Sequence, residues 1–381
     1  MKLLHTSDWH LGMTFRGGIS YAKDQKYAIE NICRIAVTEK VDGILLAGDI
    51  FDKSIASQEA LKLYDEVMTH ICIDLGIPVY MIAGNHDGAE RLSQCSELLK
   101  KSGLYIAGAL TKQVEVINLG DTDIYLLPWI STDKVKTVFP EKAEEINSME
   151  DAYRVVLDEY RSHFIKGHKN ILVAHAFIVN AETSVSDRAA EIGRATMVGS
   201  SVFEGFDYVA LGHLHGPQDI NKNIRYSGSL MAYAFGKEET QEKSVTLIDT
   251  DSMEHRIVPV PQLKRRTTLT GTFDELMEAE TEPEIIEGYV RLNVTDRYVG
   301  MEAIGALREK YRNLMEVTGR SFEKEDQQVT MTIEEFEEKR TDPESIFMGY
   351  CRDIVGEEPS EHLRGLFMSA LSVYEKEVGG Q

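Results

Sequence analysis

The sequence predicts an α/β protein: a four-layer α/β/β/α sandwich, a small α+β capping domain and a C-terminal helical tail. Three observations predict it. From residue 1 to about 260, short apolar runs alternate with amphipathic helical patterns. A weaker, more alternating set of runs asks for a second sheet, and two sheets with helices outside make four layers. After Val258-Pro-Val-Pro261 the order changes to a compact β-α-β-α-β pattern.

The strongest strand signals are Lys2–Thr6, Gly43–Ala47, Pro78–Ile82, Ile171–Ala174 and Tyr208–Leu211. They are short and apolar throughout, as expected of strands covered on both faces. Helical patterns fall over Tyr21–Lys40, Ser57–Leu75, Ala89–Lys101 and Met149–Phe164. In the first of these, Ala28, Ile29, Ile32, Ile35 and Ala36 form the stripe to be buried. The weaker strands, expected in the second sheet, are Val114–Ile117, Asp123–Leu127, Ile224–Tyr226, Ser244–Asp249 and Arg256–Val260. The module that follows reads as strand Thr267–Thr272, helix Phe273–Glu280, strand Tyr289–Val294, helix Met301–Tyr311 and strand Leu314–Val317. Its place after the main domain suggests a cap.

Ser321–Thr332 is polar and acidic and reads as a linker. Helical patterns then cover Thr332–Arg340, Asp342–Val355 and Ser360–Val378. Asp342-Pro343 is a helix start, with Asp as N-cap and Pro at the first helical position. Ile346, Phe347, Tyr350 and Ile354 share one face, and Leu363, Leu366, Phe367, Ala370, Leu371 and Tyr374 repeat the pattern. Such stripes either pack on the preceding domains or dock into a partner's groove. The division is thus 1–262, 263–320 and 321–381.

Composition narrows the class. At 381 residues, with 43% apolar and 27% charged residues, the chain suits a soluble multidomain protein. No apolar run approaches a membrane span. The first strand feeds a candidate ligand directly, which leaves no room for a signal peptide. The four cysteines show no CxxC spacing, so a reduced, cytoplasmic setting is expected. The net charge of −22 argues against broad adhesion to nucleic acid, but bound cations or a partner's basic surface can reverse the local field. Residues 321–381 carry 15 Asp/Glu against six Lys/Arg, so much of the deficit lies in the tail.

The chemistry sits where the strong strands end. Lys2–Thr6 runs into Asp8-Trp-His10, Gly43–Ala47 into Gly48-Asp49, and Pro78–Ile82 into Gly84-Asn-His-Asp87. Ile171–Ala174 runs into His175, and Tyr208–Leu211 into Gly212-His213-Leu-His215. Each motif alone has a plain structural reading: a turn, a helix cap, or a satisfied core histidine. Together, in order and each at a strand end, they read as an active site. Residues two apart on an extended backbone share a face, so DxH and HxH each offer two ligands. A carboxylate such as Asp49 is the natural bridge between two cations. Carboxylate, imidazole and one amide oxygen suit manganese, iron or zinc, and no cysteine joins the set. Seven ligands, Asp8, His10, Asp49, Asn85, His175, His213 and His215, imply a binuclear centre of the kind that clamps a phosphate. His86 is left over to protonate a leaving oxygen or hold a phosphate oxygen, with Asp87 to orient its imidazole. His5, His70, His163, His168, His255 and His362 lack this context and are expected to be structural or solvated.

This ordered set resembles the calcineurin-like metallophosphoesterase superfamily. Leu4-His-Thr-Ser-Asp-Trp-His-Leu-Gly12 and Gly48-Asp-Ile-Phe-Asp52 resemble, more narrowly, the nuclease-subunit family of bacterial SbcCD complexes. The resemblance covers essentially the whole chain. It implies a metallophosphoesterase sandwich in which Asp8, His10, Asp49 and His215 hold one ion and Asp49, Asn85, His175 and His213 the other, with His86 catalytic. Archaeal relatives carry a histidine where this chain has Asp52, so no ligand role is assigned there. The resemblance further implies a manganese-dependent DNA nuclease with 3′–5′ exonuclease and endonuclease activity. It implies an SMC-like ATPase partner of the SbcC type, gripped through the tail by Ile346, Phe347, Tyr350, Leu363, Leu366 and Phe367. A homodimer within a heterotetramer, in the cytoplasm at the nucleoid, completes the expectation. Two rival readings remain: a small-molecule or cyclic-nucleotide phosphodiesterase or phosphatase, which needs neither cap nor tail, and a non-catalytic scaffold, which would have substituted ligands.

Overall fold

The computed structural model describes residues 1–15, 19–187, 197–296, 301–319 and 364–368. Met1–Phe322 is one compact unit built on two six-stranded sheets and a smaller third one. The first sheet runs in the order His255–Pro259, Ser244–Asp249, Lys2–Thr6, Gly43–Ala47, Val79–Ile82, Leu104–Ala107. Its last four strands are mutually parallel, Ser244–Asp249 pairs antiparallel with Lys2–Thr6, and His255–Pro259 pairs antiparallel with Ser244–Asp249. The second runs Gln218–Asn221, Ile224–Tyr226, Tyr208–Gly212, Lys169–His175, Thr122–Leu127, Val116–Asn118. Its four inner strands are parallel and the outermost strand on each side is antiparallel.

The two-residue period of the strands divides their side chains between separate cores. Leu45, Tyr80, Ile82, Ile171, Val173, Tyr208 and Ala210 meet between the sheets. The alternate residues Ile44, Leu46, Val79 and Met81 face outward against the helices Ala22–Glu39 and Gln58–Thr69. On the other side Leu172, Ala174, Val209 and Leu211 pack with Met149, Ala152, Tyr153, Val156 and Leu157 of the helix Met149–Arg161. The continuously apolar strands are therefore those covered on both faces, and the layers are α/β/β/α as expected.

Three details differ from the sequence reading. Ser244–Asp249 and His255–Pro259 belong to the first sheet, whereas Lys169–His175 and Tyr208–Gly212 form the centre of the second. Alternation reports which faces of a strand are covered, not which sheet it joins. The helix expected over 89–101 is two short turns, Ala89–Leu92 and Ser96–Leu99, because Cys95 between them is left-handed with φ of 60°. The helix that starts at Gln58, capped by the Ser57 hydroxyl accepting from Ala60 N–H, ends at Thr69 and continues as a wider turn over His70–Asp74.

The module after the two sheets is a three-stranded parallel sheet of Arg266–Gly271, Tyr289–Val294 and Leu314–Gly319, with Tyr289–Val294 central. Leu276, Val290, Leu292, Leu307 and Tyr311 form its own core. Arg266 docks it: Nε donates to Ala232 O and Nη2 to Tyr21 OH, each at 2.7 Å. The guanidinium lies within 5.2 Å of the ring centres of Tyr21, Phe235 and Tyr289.

Glu323–Gln381 is a second unit, of which only residues 364–368 are described, a helical turn with Leu366 exposed and Phe367 half-buried. The residues Ile346, Phe347, Tyr350 and Leu363 lie outside the described residues. Among the described residues no helix is long and apolar enough to cross a membrane.

Candidate metal centre

All five motifs converge at the carboxyl ends of parallel strands, from both sheets. Asp8, His10, Asp49, Asn85 and His86 follow strands of the first sheet. His175 ends a strand of the second sheet, and His213 and His215 follow another. The loops are tied to one another by backbone bonds, Asp8 N–H to Gly48 O and His10 N–H to Asp49 O, both 3.0 Å. The sheets are tied by His213 N–H donating to Asp8 Oδ1 at 2.9 Å.

Glycine makes this convergence possible. A Cβ on Gly84 would sit 2.1 Å from Asp49 Oδ1, and one on Gly212 would sit 1.9 Å from Ala47 O. These are the points where neighbouring loops and the two sheets nearly touch, which is why a glycine stands in each of these two motifs. The backbone is also strained: Asp8, His10, Asp49 and His213 have φ of 53°, 45°, 51° and 106°. Such left-handed non-glycine residues cluster at functional sites.

The donor atoms form two sets around Asp49. On one side His10 Nε2 and His215 Nε2 are 3.0 Å apart, and Asp8 lies within 4.8 Å of both. On the other, Asn85 Oδ1 is 2.9 Å from His175 Nε2 and 3.1 Å from His213 Nδ1. Asp49 Oδ2 stands between them, 3.7 Å from His10 Nε2 and 3.4 Å from His175 Nε2. His175 Nδ1 donates to Ala47 O at 2.9 Å, which turns Nε2 toward Asn85 Oδ1 and Asp49 Oδ2. His10 Nδ1 is buried without a hydrogen-bond partner among the described residues. Carboxylate, imidazole and amide-oxygen donors crowded this closely, with one buried nitrogen left without a partner, are what a cation-binding donor set looks like.

The electrostatics point the same way. Burial, with the Asp49 charge adding to it, pushes the Asp8 carboxyl up to about 8. Asp49 is held well below the usual carboxylate range against its own burial by His175, His10 and His86. Burial takes His213 down to about 3 and His10 and His215 below their ordinary value. His175, despite its burial, is raised to about 9 by Asp49. Three imidazoles are thus neutral ligands in waiting, and ionised Asp49 draws positive charge to the centre.

His86 is half-buried at the rim, its ring edge-on to His10 with centroids 4.8 Å apart. Its Nδ1 meets Asp52 O at 2.9 Å and its backbone N–H donates to Asp49 Oδ1 at 2.9 Å. With Nδ1–H on a carbonyl, the tautomer is set by the Asp52 backbone. Asp87, expected to orient this imidazole, has another part. Its buried carboxylate accepts from Ile50, Phe51 and Gly84 N–H at 3.1, 2.9 and 2.8 Å, clasping the Gly48-Asp49 and Gly84-Asn85 loops together. A side chain pointing back into its own turn cannot be foreseen from adjacency. His86 also lies within 4.8 Å of His10 and Asp49.

His5 is a core histidine, as expected: fully buried, with Nδ1 3.2 Å from Tyr208 OH and Nε2 3.1 Å from Leu211 O. Trp129 joins the site without a motif of its own. Its indole stacks on His213 at 5.5 Å and 19° and meets His175 edge-on. It follows the end of the strand Thr122–Leu127, the same signal that marks the ligands. Ser186, which contacts His215, carries no sequence signal.

Residues 1–217 match the calcineurin-like phosphoesterase family. The D subunit of nuclease SbcCD from Staphylococcus epidermidis is 30% identical over 365 residues, covering 95% of this chain and 95% of that protein. The protein of the same description from Staphylococcus saprophyticus is 29% identical over 360 residues, covering 94% of each. Among solved structures, TT1561 of Thermus thermophilus aligns with 68% of this chain and 99% of its own at 12% identity, with a TM-score of 0.39.

Proposed function

The chain belongs to the calcineurin-like phosphoesterases and, within them, to the metal-dependent nucleases that form the D subunits of SbcCD, and on that premise we propose that it hydrolyses DNA phosphodiesters at a centre of two divalent cations, manganese foremost. The observation that carries this reading is the position of Asp49, whose Oδ2 lies 3.7 Å from one set of donors and 3.4 Å from the other. Asp8, His10, Asp49 and His215 would hold one ion, and Asp49, Asn85, His175 and His213 the second. When bound, the pair of ions supplies phosphate binding, water activation and charge stabilisation.

The rest is done by the chain's own groups. His86, with Nδ1–H fixed on Asp52 O, uses Nε2 for exchange of a proton with the leaving oxygen or for a bond to a phosphate oxygen. Asp87 acts through the backbone, keeping Asp49 and Asn85 in register. Residues 263–320 form the cap and 321–381 a tethered partner-binding region. A chain of net charge −22 gains little from attraction to DNA, which supports a partner that supplies basic surface. An SMC-like ATPase of the SbcC type, gripped through the tail in a cytoplasmic, nucleoid-associated heterotetramer, fits that need.

The test is incubation of the purified, metal-stripped chain with manganese, a linear duplex and a small chromogenic phosphodiester. Both substrates should be cut only with metal, and Asp49→Ala should lose bound manganese and all cleavage. Full two-ion content in Asp49→Ala would overturn the bridging assignment, and diester cleavage with an untouched duplex would favour a small-molecule phosphodiesterase. For the partner, a chain ending at Gln328 should keep metal-dependent cleavage yet no longer copurify with the ATPase. Normal complex formation by that chain would refute the tail assignment.

A further inference from the structure

A line of buried polar groups runs from the loop before the strand Ser244–Asp249 to the back of His215. Lys243 and Glu238 form an ion pair at 3.0 Å with both side chains 1% exposed. The Lys243 ammonium also donates to Ser229 Oγ and His215 O, each at 2.9 Å. One Glu238 oxygen, Oε2, takes this ammonium and the Tyr233 N–H at 3.0 Å. The other, Oε1, accepts the hydroxyl proton of Ser186. Ser186 Oγ in turn lies 2.5 Å from His215 Nδ1.

The proton count along this line has one solution. A hydroxyl has one hydrogen, and an ionised carboxylate can only accept, so Ser186 donates to Glu238. Its oxygen is then an acceptor toward His215, which must carry its proton on Nδ1. Nε2 is left as a lone pair, and it is the atom that faces His10 Nε2 at 3.0 Å. Lys243 keeps the carboxylate ionised and so fixes the direction of the whole line. Asp187 Oδ1 accepts His215 N–H at 3.0 Å and holds the backbone of the same residue. A buried ion pair alone is a poor stabiliser, since desolvation offsets most of its attraction. One whose carboxylate meets a serine that meets a candidate ligand has a use beyond packing.

We infer that Ser186, oriented by the Glu238–Lys243 pair, is a positioning residue that locks His215 as the Nδ1–H tautomer with Nε2 turned toward His10. This rests on the reading of His215 as a ligand of the ion shared with Asp8 and His10. The line sets the affinity of that ion and leaves the Asn85–His175–His213 set alone.

The test uses the full chain, stripped of metal. Calorimetric titration with manganese should resolve two ions in wild type. Ser186→Ala should weaken one of them by about 10- to 100-fold, as loss of such an outer partner does, and spare the other. Ser186→Thr, which keeps the hydroxyl, should restore it. Nitrogen-15 spectra of the histidines, with His215 assigned by its absence in His215→Gln, should show one Nδ1–H tautomer in wild type and a mixture in Ser186→Ala. The double variant Glu238→Gln/Lys243→Met, which removes both buried charges together, should follow Ser186→Ala in tautomer and affinity if it melts as one cooperative unit. An unchanged tautomer and unchanged affinity in Ser186→Ala would overturn the inference. A wild-type chain that binds no manganese would instead overturn the metal reading on which it rests.

Discussion

Replacing Gly84 by alanine removes no ligand and no charge, yet it should empty the centre. The new Cβ would lie 2.1 Å from Asp49 Oδ1, 2.4 Å from Asp49 N and 2.7 Å from Asp49 Cγ. Since real Cβ contacts do not fall under 3.0 Å, the Asp49 carboxylate must retreat by roughly 0.9 Å. The backbone of Asp49 cannot absorb this. It is left-handed already, at φ of 51°, and its carbonyl accepts from His10 N–H at 3.0 Å. Ligand distances in a metal site tolerate only about 0.2 Å, and a shift of about 1 Å at a reacting centre costs on the order of 100-fold in rate. Gly84→Ala should therefore lose bound manganese and at least that factor in cleavage, and overpacking should cost it about 1–3 kcal/mol of stability. Gly305 is the control, a helical residue with nothing within 4 Å of the place a Cβ would take, where alanine should leave metal and cleavage intact and add about 0.5–1 kcal/mol. Metal content by atomic emission and initial rates on duplex DNA measure both. A Gly84→Ala protein with wild-type metal and rates would refute the close-approach account of the motif.

Three further outcomes follow from the same geometry. His86→Gln should slow turnover by about 10²–10⁴-fold while two ions stay bound; parallel loss of metal would instead make His86 a ligand, as its closeness to His10 and Asp49 allows. Glu238, although burial raises it, is drawn down to about 2 from 4.5 by Lys243 and neighbouring donors, so its ionised form stabilises the fold above about pH 4.5 and that contribution is lost as pH falls toward 2. The contribution is on the order of 3 kcal/mol, and urea titrations at pH 6 and pH 3.5 should show it shrinking by about 1 kcal/mol in wild type but not in Glu238→Gln/Lys243→Met. Manganese at about 100 times its dissociation constant should add about 2.7 kcal/mol per site, or roughly 4 °C in Tm for a unit of this size, and the shift should vanish in Asp49→Ala.

The candidate ligands are legible in the sequence because each depends on local order: a buried strand, a turn, then a donor at fixed spacing. Asp8, His10, Asp49, Asn85, His175, His213 and His215 all announce themselves that way, and the structure brings all of them within one cluster of short distances. What is not legible depends on the third dimension. Asp87 reads as the partner of its neighbour His86, but its carboxylate folds back to clasp three backbone amides. Ser186 lies far in sequence from Glu238 and Lys243, and Glu238, in the short helix Lys237–Thr240, is only 2% exposed. The strands Ser244–Asp249 and His255–Pro259 alternate like second-sheet strands, and only the pairing of Ser244–Asp249 with Lys2–Thr6, and of His255–Pro259 with Ser244–Asp249, assigns them to the first sheet.

The strain at the centre bears on what an arriving ion does. Four left-handed residues, at about 1–3 kcal/mol each, persist only where the surroundings over-determine them. Here the surroundings are backbone bonds that need no ion: Asp8 N–H to Gly48 O, His10 N–H to Asp49 O, His213 N–H to Asp8 Oδ1. The three apolar clusters between and outside the sheets hold those strand ends in place. The donors are therefore arranged by folding itself, unlike a small zinc module in which metal binding supplies the folding energy. An ion entering such a site meets ligands already ordered, among them Asn85 Oδ1 and His175 Nε2 at 2.9 Å. That is why a shift of a few degrees in Tm, and not collapse of the metal-free fold, is the expected signature of metal removal.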